Sequence, residues 1–302
     1  MSYGLPWQGS KSRIAKWVVS NLPSGDVLID LFAGGCAVTH RAIESGRWAR
    51  VVANDICEGP EMFADAVAGE YGGYATVCTR EGFAETDDPM AKLLYSFGNN
   101  RQTYLWSRDI EPLKVAVSRM LSAPSLHERR MAYRSEFVPA LCDYIQRVGP
   151  EAFVDGETPK RKHGRAKACE SLEGLDRVQS LEGLDRSGRL ETSKLDYREV
   201  PVPDGAVVYA DPPYRGTSGK GGDYGMEFDF DAFDGWLESA PFMVVVSEKA
   251  APPGCTEVAS CQRRMTMQGG SKWTTERLFV QDAFVDEYRE RMAAQGQQEL
   301  AC

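Results

Sequence analysis

Val27-Leu28-Ile29-Asp30-Leu31-Phe32-Ala33-Gly34-Gly35 decides the fold. A short apolar run that ends in glycines reads as a buried strand passing straight into a tight turn. Downstream of it, Cys36 to Ser45 can form a helix that Gly46 stops, and Arg50 to Ala53 is a second β-rich run leading into Asn54 and Asp55. This is a β-α-β unit, the beginning of a doubly wound α/β sheet. Glycines placed after the first strand let a ligand approach the backbone closely, and they precede a helix N-terminus. The pattern is not Gly-x-Gly-x-x-Gly, so a nicotinamide dinucleotide is the poorer reading. Asp55 follows Gly35 by 20 residues, where an acidic residue takes ribose hydroxyls in such folds. The bland alternative for a lone Asp there is a turn residue.

Further along the chain, apolar β-type runs return only at Ala206 to Ala210, Phe242 to Val246, Thr256 to Ala259 and Arg277 to Val280. The stretch between has helical periodicity in Leu113 to Leu121 and Ser135 to Val148 and reads as a mainly helical insert. The expected division is a core of residues 1–56 and 168–302 with an insert of residues 57–167. Glu157 to Lys167 is basic and reads as a mobile loop. Two copies of Ser-Leu-Glu-Gly-Leu-Asp-Arg follow, beginning at Ser171 and Ser180. A nine-residue step at about 100° per residue puts their leucines on opposite helix faces, and Gly174 and Gly183 weaken a helix further. An irregular, leucine-anchored connector is expected.

With 42% hydrophobic and 26% charged residues the chain reads as an ordinary globular protein. No apolar run nears the roughly 18 residues of a membrane span, and Met1 to Gly9 lacks signal-peptide character, so a cytoplasmic location is expected. The eight cysteines contain no Cys-x-x-Cys pair and no histidine at zinc-ligand spacing, so no metal is expected. A net charge of −9 argues at first against a nucleic-acid partner. Its distribution answers that objection: Met90 to Lys167 holds 14 Lys and Arg against 8 Asp and Glu, a local +6 that leaves −15 for the remainder.

Asp211-Pro212-Pro213-Tyr214 follows directly on the Ala206 to Ala210 run. That places it at the carboxyl end of a buried strand, where open α/β sheets bind ligands. The four residues suit an exocyclic amine conjugated to a ring, which becomes nucleophilic when both N–H groups are hydrogen-bonded. Asp211 offers a carboxylate and Pro212 a carbonyl held in a stiff extended segment. The Tyr214 ring offers a face on which an extruded base stacks. The alternative is a proline-rich turn capping a strand. Near the N-terminus, Leu5-Pro6-Trp7-Gln8-Gly9-Ser10-Lys11 sets an aromatic, a glycine and a lysine ahead of an expected helix at Ser12 to Ser20. A binding loop and a capped surface helix are both open for it.

Trp7-x-Gly9-x-Lys11, Asp30-x-Phe32-x-Gly34-Gly35, Asn54-Asp55 and Asp211-Pro212-Pro213-Tyr214 resemble, in order, the motifs of Dam-type N6-adenine DNA methyltransferases. Tyr95-Ser96-Phe97-Gly98-Asn99-Asn100-Arg101, followed by Tyr104, looks like a segment of phage and prophage members, which also carry short leucine-rich repeats. The resemblance implies a class I S-adenosylmethionine-dependent methyltransferase fold with a helical target-recognition insert. It implies that Trp7, Lys11, Asp30, Phe32, Ala33, Gly34, Gly35, Asp55, Ile56 and Asp211 contact S-adenosylmethionine, with Asp211, Pro212, Pro213 and Tyr214 catalytic. Asn99, Asn100, Arg101 and Tyr104 would lie at double-stranded DNA, and Lys160, Arg161 and Lys162 of the basic loop are expected on its phosphates. Ser247-Glu248-Lys249 looks like a family element lining the site, with Lys249 where relatives carry an aromatic. A monomer is expected. The competing readings are an amino methyltransferase acting on RNA adenine, cytosine N4 or a protein glutamine, and a catalytically silent DNA-binding protein. Asp at position 211 and the Trp7 to Lys11 motif favour DNA adenine.

Overall fold

The structure, a computed structural model, describes residues 2–72, 78–149, 170–215, 228–267 and 270–301. They divide into two compact units, a sheet unit of Met1–Leu5, Gly9–Ala68 and Gly183–Cys302 and a helical unit of Pro6–Gln8 and Gly69–Glu182. Against the bounds 57 and 167 expected from the sequence, the helical unit starts later and ends later. The helix Gly59–Ala68 belongs with the sheet, and the first leucine-rich copy belongs with the helices.

The sheet has seven strands: β1 (Val27–Asp30), β2 (Arg50–Asn54), β3 (Leu190–Ser193), β4 (Val207–Ala210), β5 (Val244–Glu248), β6 (Cys255–Met267) and β7 (Gly270–Gln281), in the order β3-β2-β1-β4-β5-β7-β6. β1 to β5 pair in parallel, while β7 runs antiparallel between β5 and β6. The order reverses between β1 and β4, which opens the crevice where such sheets bind ligands. β1, β4 and β5 are buried along their whole length, as strands covered on both faces must be. One face packs Ile29, Leu31, Val208, Val244 and Val246 against Phe233 and Leu237 of the helix Phe230–Ser239. Each such side chain contributes about 1.5–3 kcal/mol when fully buried. On the N-terminal side, α1 (Ala15–Ser20) and α2 (Ala37–Ser45) pack together, and Gly46 ends α2 in the left-handed region at φ 68°.

In the helical unit the sequence caps its own elements. Thr79 accepts from the Gly82 amide at the start of Arg80–Glu85, and Asp88 accepts from Met90 ahead of Pro89–Leu94. Ser125 and Glu128 form a reciprocal capping box on Leu126–Ala132. The helix Glu111–Ser122 precedes it, and a π-helical segment, Tyr133–Phe137, joins it to Val138–Val148. Pro139 lacks an amide for the carbonyl one turn back, which accounts for the widened turn before it. The first leucine-rich copy is helical, within Glu170–Gln179, where a connector was expected. Gly174 explains this: a Cβ there would sit 2.8 Å from Leu94 Cδ2, so its absence lets the helix lie close to Pro89–Leu94. The second copy is a turn region anchored by buried Leu181.

Candidate active site

The carboxyl ends of β1, β2, β4 and β5 converge on a set of acidic side chains. Asp30, at the end of β1, is 1% exposed and accepts from the Thr39 amide and hydroxyl of α2, at 3.1 and 2.7 Å. Burial, with help from Asp211 and Asp55, pushes its pKa up to about 7. Asp30 therefore ties β1 to α2 through Thr39. Beyond it, Phe32 packs among Tyr197, Phe228 and Phe233, and Ala33 donates its amide to the Asn54 carbonyl at 2.8 Å. Gly34 and Cys36 both take positive φ, 49° and 59°, which curls the backbone ahead of α2.

Asp55 closes that curl. Its Oδ2 accepts the Gly34 amide at 2.7 Å, and its Oδ1 accepts the Cys57 amide at 3.0 Å. A carboxylate has about four acceptor positions, so capacity remains for hydroxyl donors of a ligand. Ile56, next in the chain, is 46% exposed beside this buried acid. Asn54 has another part: its amide nitrogen donates to the Leu31 and Leu195 carbonyls, and its oxygen accepts from the Ser193 hydroxyl and the Leu195 amide. It staples the ends of β1, β2 and β3.

Asp211 extends from β4, with Pro212 buried and Pro213 exposed in an extended segment. Lys11, itself 6% exposed, places Nζ 2.7 Å from Asp211 Oδ1 and 4.4 Å from the centre of the Tyr214 ring. The same Nζ donates to the Tyr214 hydroxyl. That hydroxyl donates to Glu276 Oε2 at 2.7 Å and lies 3.3 Å from Ser247 Oγ. Burial first, then the carboxylates of Asp211 and Glu276, push the phenol's pKa well up, so it stays neutral and serves as a donor. Glu248, at the end of β5, is buried and accepts from the Lys249 amide, and burial raises its pKa. Lys249 is exposed and sets Nζ 5.0 Å from the Tyr214 ring centre.

Glu276 is a site residue that the sequence does not reveal. It opens the apolar run of β7 and reads there as a surface boundary, yet it is 2% exposed and bonds a residue 62 positions away. No local pattern carries that information.

Trp7 and the segment from Phe97 to Tyr104 lie in the helical unit. The Arg101 guanidinium sits 4.4 Å from the Trp7 ring centre. Tyr95 to Leu105 folds back on itself through an antiparallel bridge between Ser96 and Tyr104. Gly98, Asn99 and Arg101 all take left-handed φ, 64°, 58° and 58°. Two non-glycine residues held there within three positions mark a strained turn. Asn99 donates to the Leu93 carbonyl, and Asn100 accepts from the amides of Gln102 and Thr103. Tyr104 is 8% exposed, donates to the Cys78 carbonyl, and packs on Phe83 and Trp106. Asn99 and Tyr104 thus have architectural work here, while Phe97 is 54% exposed at the tip. Lys160, Arg161 and Lys162 fall outside the described residues.

No helix among the described residues is long and apolar enough to cross a membrane. None of their His, Cys, Asp and Glu side chains form a group of three or more able to hold a metal ion. No curated protein matches the chain. The sheet order, the acidic crevice and the Asp-Pro-Pro-Tyr segment at the end of β4 are those expected of a class I methyltransferase. In agreement, the profile of D12 class N6 adenine-specific DNA methyltransferases matches residues 7–233, and the chain belongs to that family.

Proposed function

We propose that this DNA adenine methyltransferase binds S-adenosylmethionine across the carboxyl ends of β1 and β2, and that it methylates an adenine extruded from double-stranded DNA at Asp211-Pro212-Pro213-Tyr214. S-adenosylmethionine supplies an electrophilic methyl group on a sulfonium. The residues present suit that group: it is cationic at both sulfonium and ammonium, and Asp55 and Asp211 set carboxyl groups at this end of the sheet. The curled backbone from Phe32 to Gly35 leaves room for close approach, Asp55 retains acceptor capacity for ribose hydroxyls, and exposed Ile56 offers an apolar face.

In this reading the adenine N6 amine donates to the Asp211 carboxylate and the Pro212 carbonyl, and the Tyr214 ring stacks on the base. Those hydrogen bonds strengthen as the nitrogen becomes tetrahedral, which is where they lower the barrier. The observation that carries the reading is Asp211 at the end of the central parallel strand, paired with Lys11, with Tyr214 fixed by Lys11, Ser247 and Glu276. Methyl transfer to duplex DNA from labelled donor tests it. Asp211→Ala is expected to abolish transfer while the donor still raises the melting temperature of the folded protein. Activity of Asp211→Ala within a few-fold of the parent would remove this motif from the chemistry.

A further inference from the structure

The ammonium of Lys11 is paired with one oxygen of the carboxylate that the reaction calls for. With Nζ 2.7 Å from Oδ1, Asp211 is held in an ion pair while it has to receive an amine hydrogen. A cation this close withdraws acceptor strength from the carboxylate, so a productive complex needs another place for the lysine charge. The structure provides one. Glu276 Oε2 lies 3.9 Å from the same Nζ, on a side chain 2% exposed. A movement of about 1 Å on a flexible four-carbon stem would bring it to ordinary hydrogen-bond length. β7 delivers Glu276 to the reactive end of the sheet because it runs antiparallel to β5. The register pairs Glu248 with Arg277, so Glu276 stands just beyond the carboxyl end of β5. The Tyr214 hydroxyl, accepting from Lys11 and donating to Glu276, joins the lysine to this second carboxylate.

We propose that Glu276 is a positioning residue that takes over the Lys11 ammonium when Asp211 engages the adenine amine, and that holds the Tyr214 ring through its hydroxyl throughout. This rests on the function proposed above. The lysine then acts as a gate: it neutralises Asp211 in the absence of a base and moves to Glu276 when one arrives. The purely structural alternative is a buried glutamate satisfied by a tyrosine, which is a common arrangement.

Glu276→Gln separates the two. The amide keeps an acceptor for the Tyr214 hydroxyl and nearly the same volume, but it has no charge to hold a lysine. The experiment measures kcat on duplex DNA, normalised to the fraction of sites that bind donor, together with DNA affinity and the donor-induced melting shift. Glu276→Ala and Asp211→Ala are run in parallel. The expected result is a kcat lower by about tenfold or more in Glu276→Gln, close to that of Glu276→Ala, with DNA affinity and the melting shift within about twofold of the parent. A kcat within about twofold of the parent in Glu276→Gln would overturn the proposal, since charge would then be irrelevant. Equal losses in kcat, DNA affinity and melting shift would also overturn it, in favour of a structural role. If Asp211→Ala stays active, the reading of the catalytic motif has failed instead, and that failure is visible apart from the behaviour of Glu276.

Discussion

Arg101 rests its guanidinium 4.4 Å from the centre of the Trp7 indole, within the helical unit. The motif resemblance assigns these residues to different ligands, Trp7 to the methyl donor and Arg101 to DNA. Their contact couples the two assignments. A buried tryptophan that carries an arginine fixes the direction in which the guanidinium points, at a gain of about 0.5–2 kcal/mol. In a double-mutant cycle on DNA affinity, Trp7→Ala and Arg101→Ala are expected to be non-additive, with the double variant little worse than the weaker-binding single one. Additive losses would mean that Trp7 and Arg101 act independently, as the separate assignments have it.

Gly4 supports the glycine curl from beneath. A Cβ at this position, which has φ +69°, would lie 2.3 Å from the Gly35 carbonyl oxygen and 2.7 Å from the Ala37 amide nitrogen, both backbone atoms. Leu5 also donates its amide to that carbonyl at 2.7 Å. Gly4→Ala is therefore expected to lower stability by about 2 kcal/mol or more and to weaken donor binding, because the Gly34–Cys36 curl has to shift. Gly205→Ala is the control: φ is +75°, but nothing lies within 4 Å of the added Cβ. It should cost about 1 kcal/mol and leave donor binding alone. Equal effects of the two substitutions on calorimetric stability and donor affinity would show that steric contact with the curl is unimportant.

The residues that made the fold legible in the sequence are those whose neighbours lie in the same short segment. Val27 to Gly35 announces a buried strand and its turn because burial on both faces leaves a continuous apolar run. Gly46 announces the end of α2 for a similarly local reason. The edge strand β3, Leu190–Ser193, escaped because only half of its pattern is even partly buried and no apolar alternation survives at the sheet edge. The helix containing Gly174 escaped because its glycine answers to Leu94, a contact that propensity cannot foresee. In the site, Asp211 and Tyr214 stand within one tetrapeptide and read as one motif. Lys11 and Glu276 join them across 200 and 62 positions, and only the folded sheet brings them together.

Asp30 sets a pH dependence whose sign is opposite to that of an ordinary ion-paired carboxylate. Its pKa stands at about 7 in the fold against 3.8 without burial. Between those values the unfolded chain binds fewer protons than the native one, so this group's contribution to stability is present at low pH and is lost as pH rises toward 7. Asp30→Asn keeps an acceptor for Thr39 and does not titrate. The melting temperature of the variant relative to the parent should therefore climb between about pH 4 and pH 7 and level off above. A difference that stays flat across that range in calorimetry would place the Asp30 titration elsewhere.

The helical unit carries an open basic face. Met120, Leu121, Arg129, Arg130, Tyr133 and Arg134 line a shallow groove, with Tyr133 48% exposed and stacked on Phe137 at 5.5 Å. Arg130 and Arg134 stand one helical turn apart, and neither has a carboxylate partner among the described residues. Arg130 at the end of Leu126–Ala132, with Arg134 and exposed Tyr133 on the π-helical turn that follows, suits contact with DNA phosphates, in a family whose substrate is DNA. Phosphate contacts position the protein without reading sequence, so Arg130→Ala with Arg134→Ala is expected to weaken binding alike on all duplexes. It should also reduce the slope of log affinity against log salt by roughly 0.9 for each phosphate that is no longer neutralised. Neutralising Lys160, Arg161 and Lys162 together is the companion experiment, and the same uniform loss is expected if that basic stretch also meets the backbone. Replacing Asn100 or Arg101 should behave differently, altering which sequences are methylated more than the salt slope. An unchanged salt slope in the Arg130 and Arg134 double variant would remove this face from the DNA footprint.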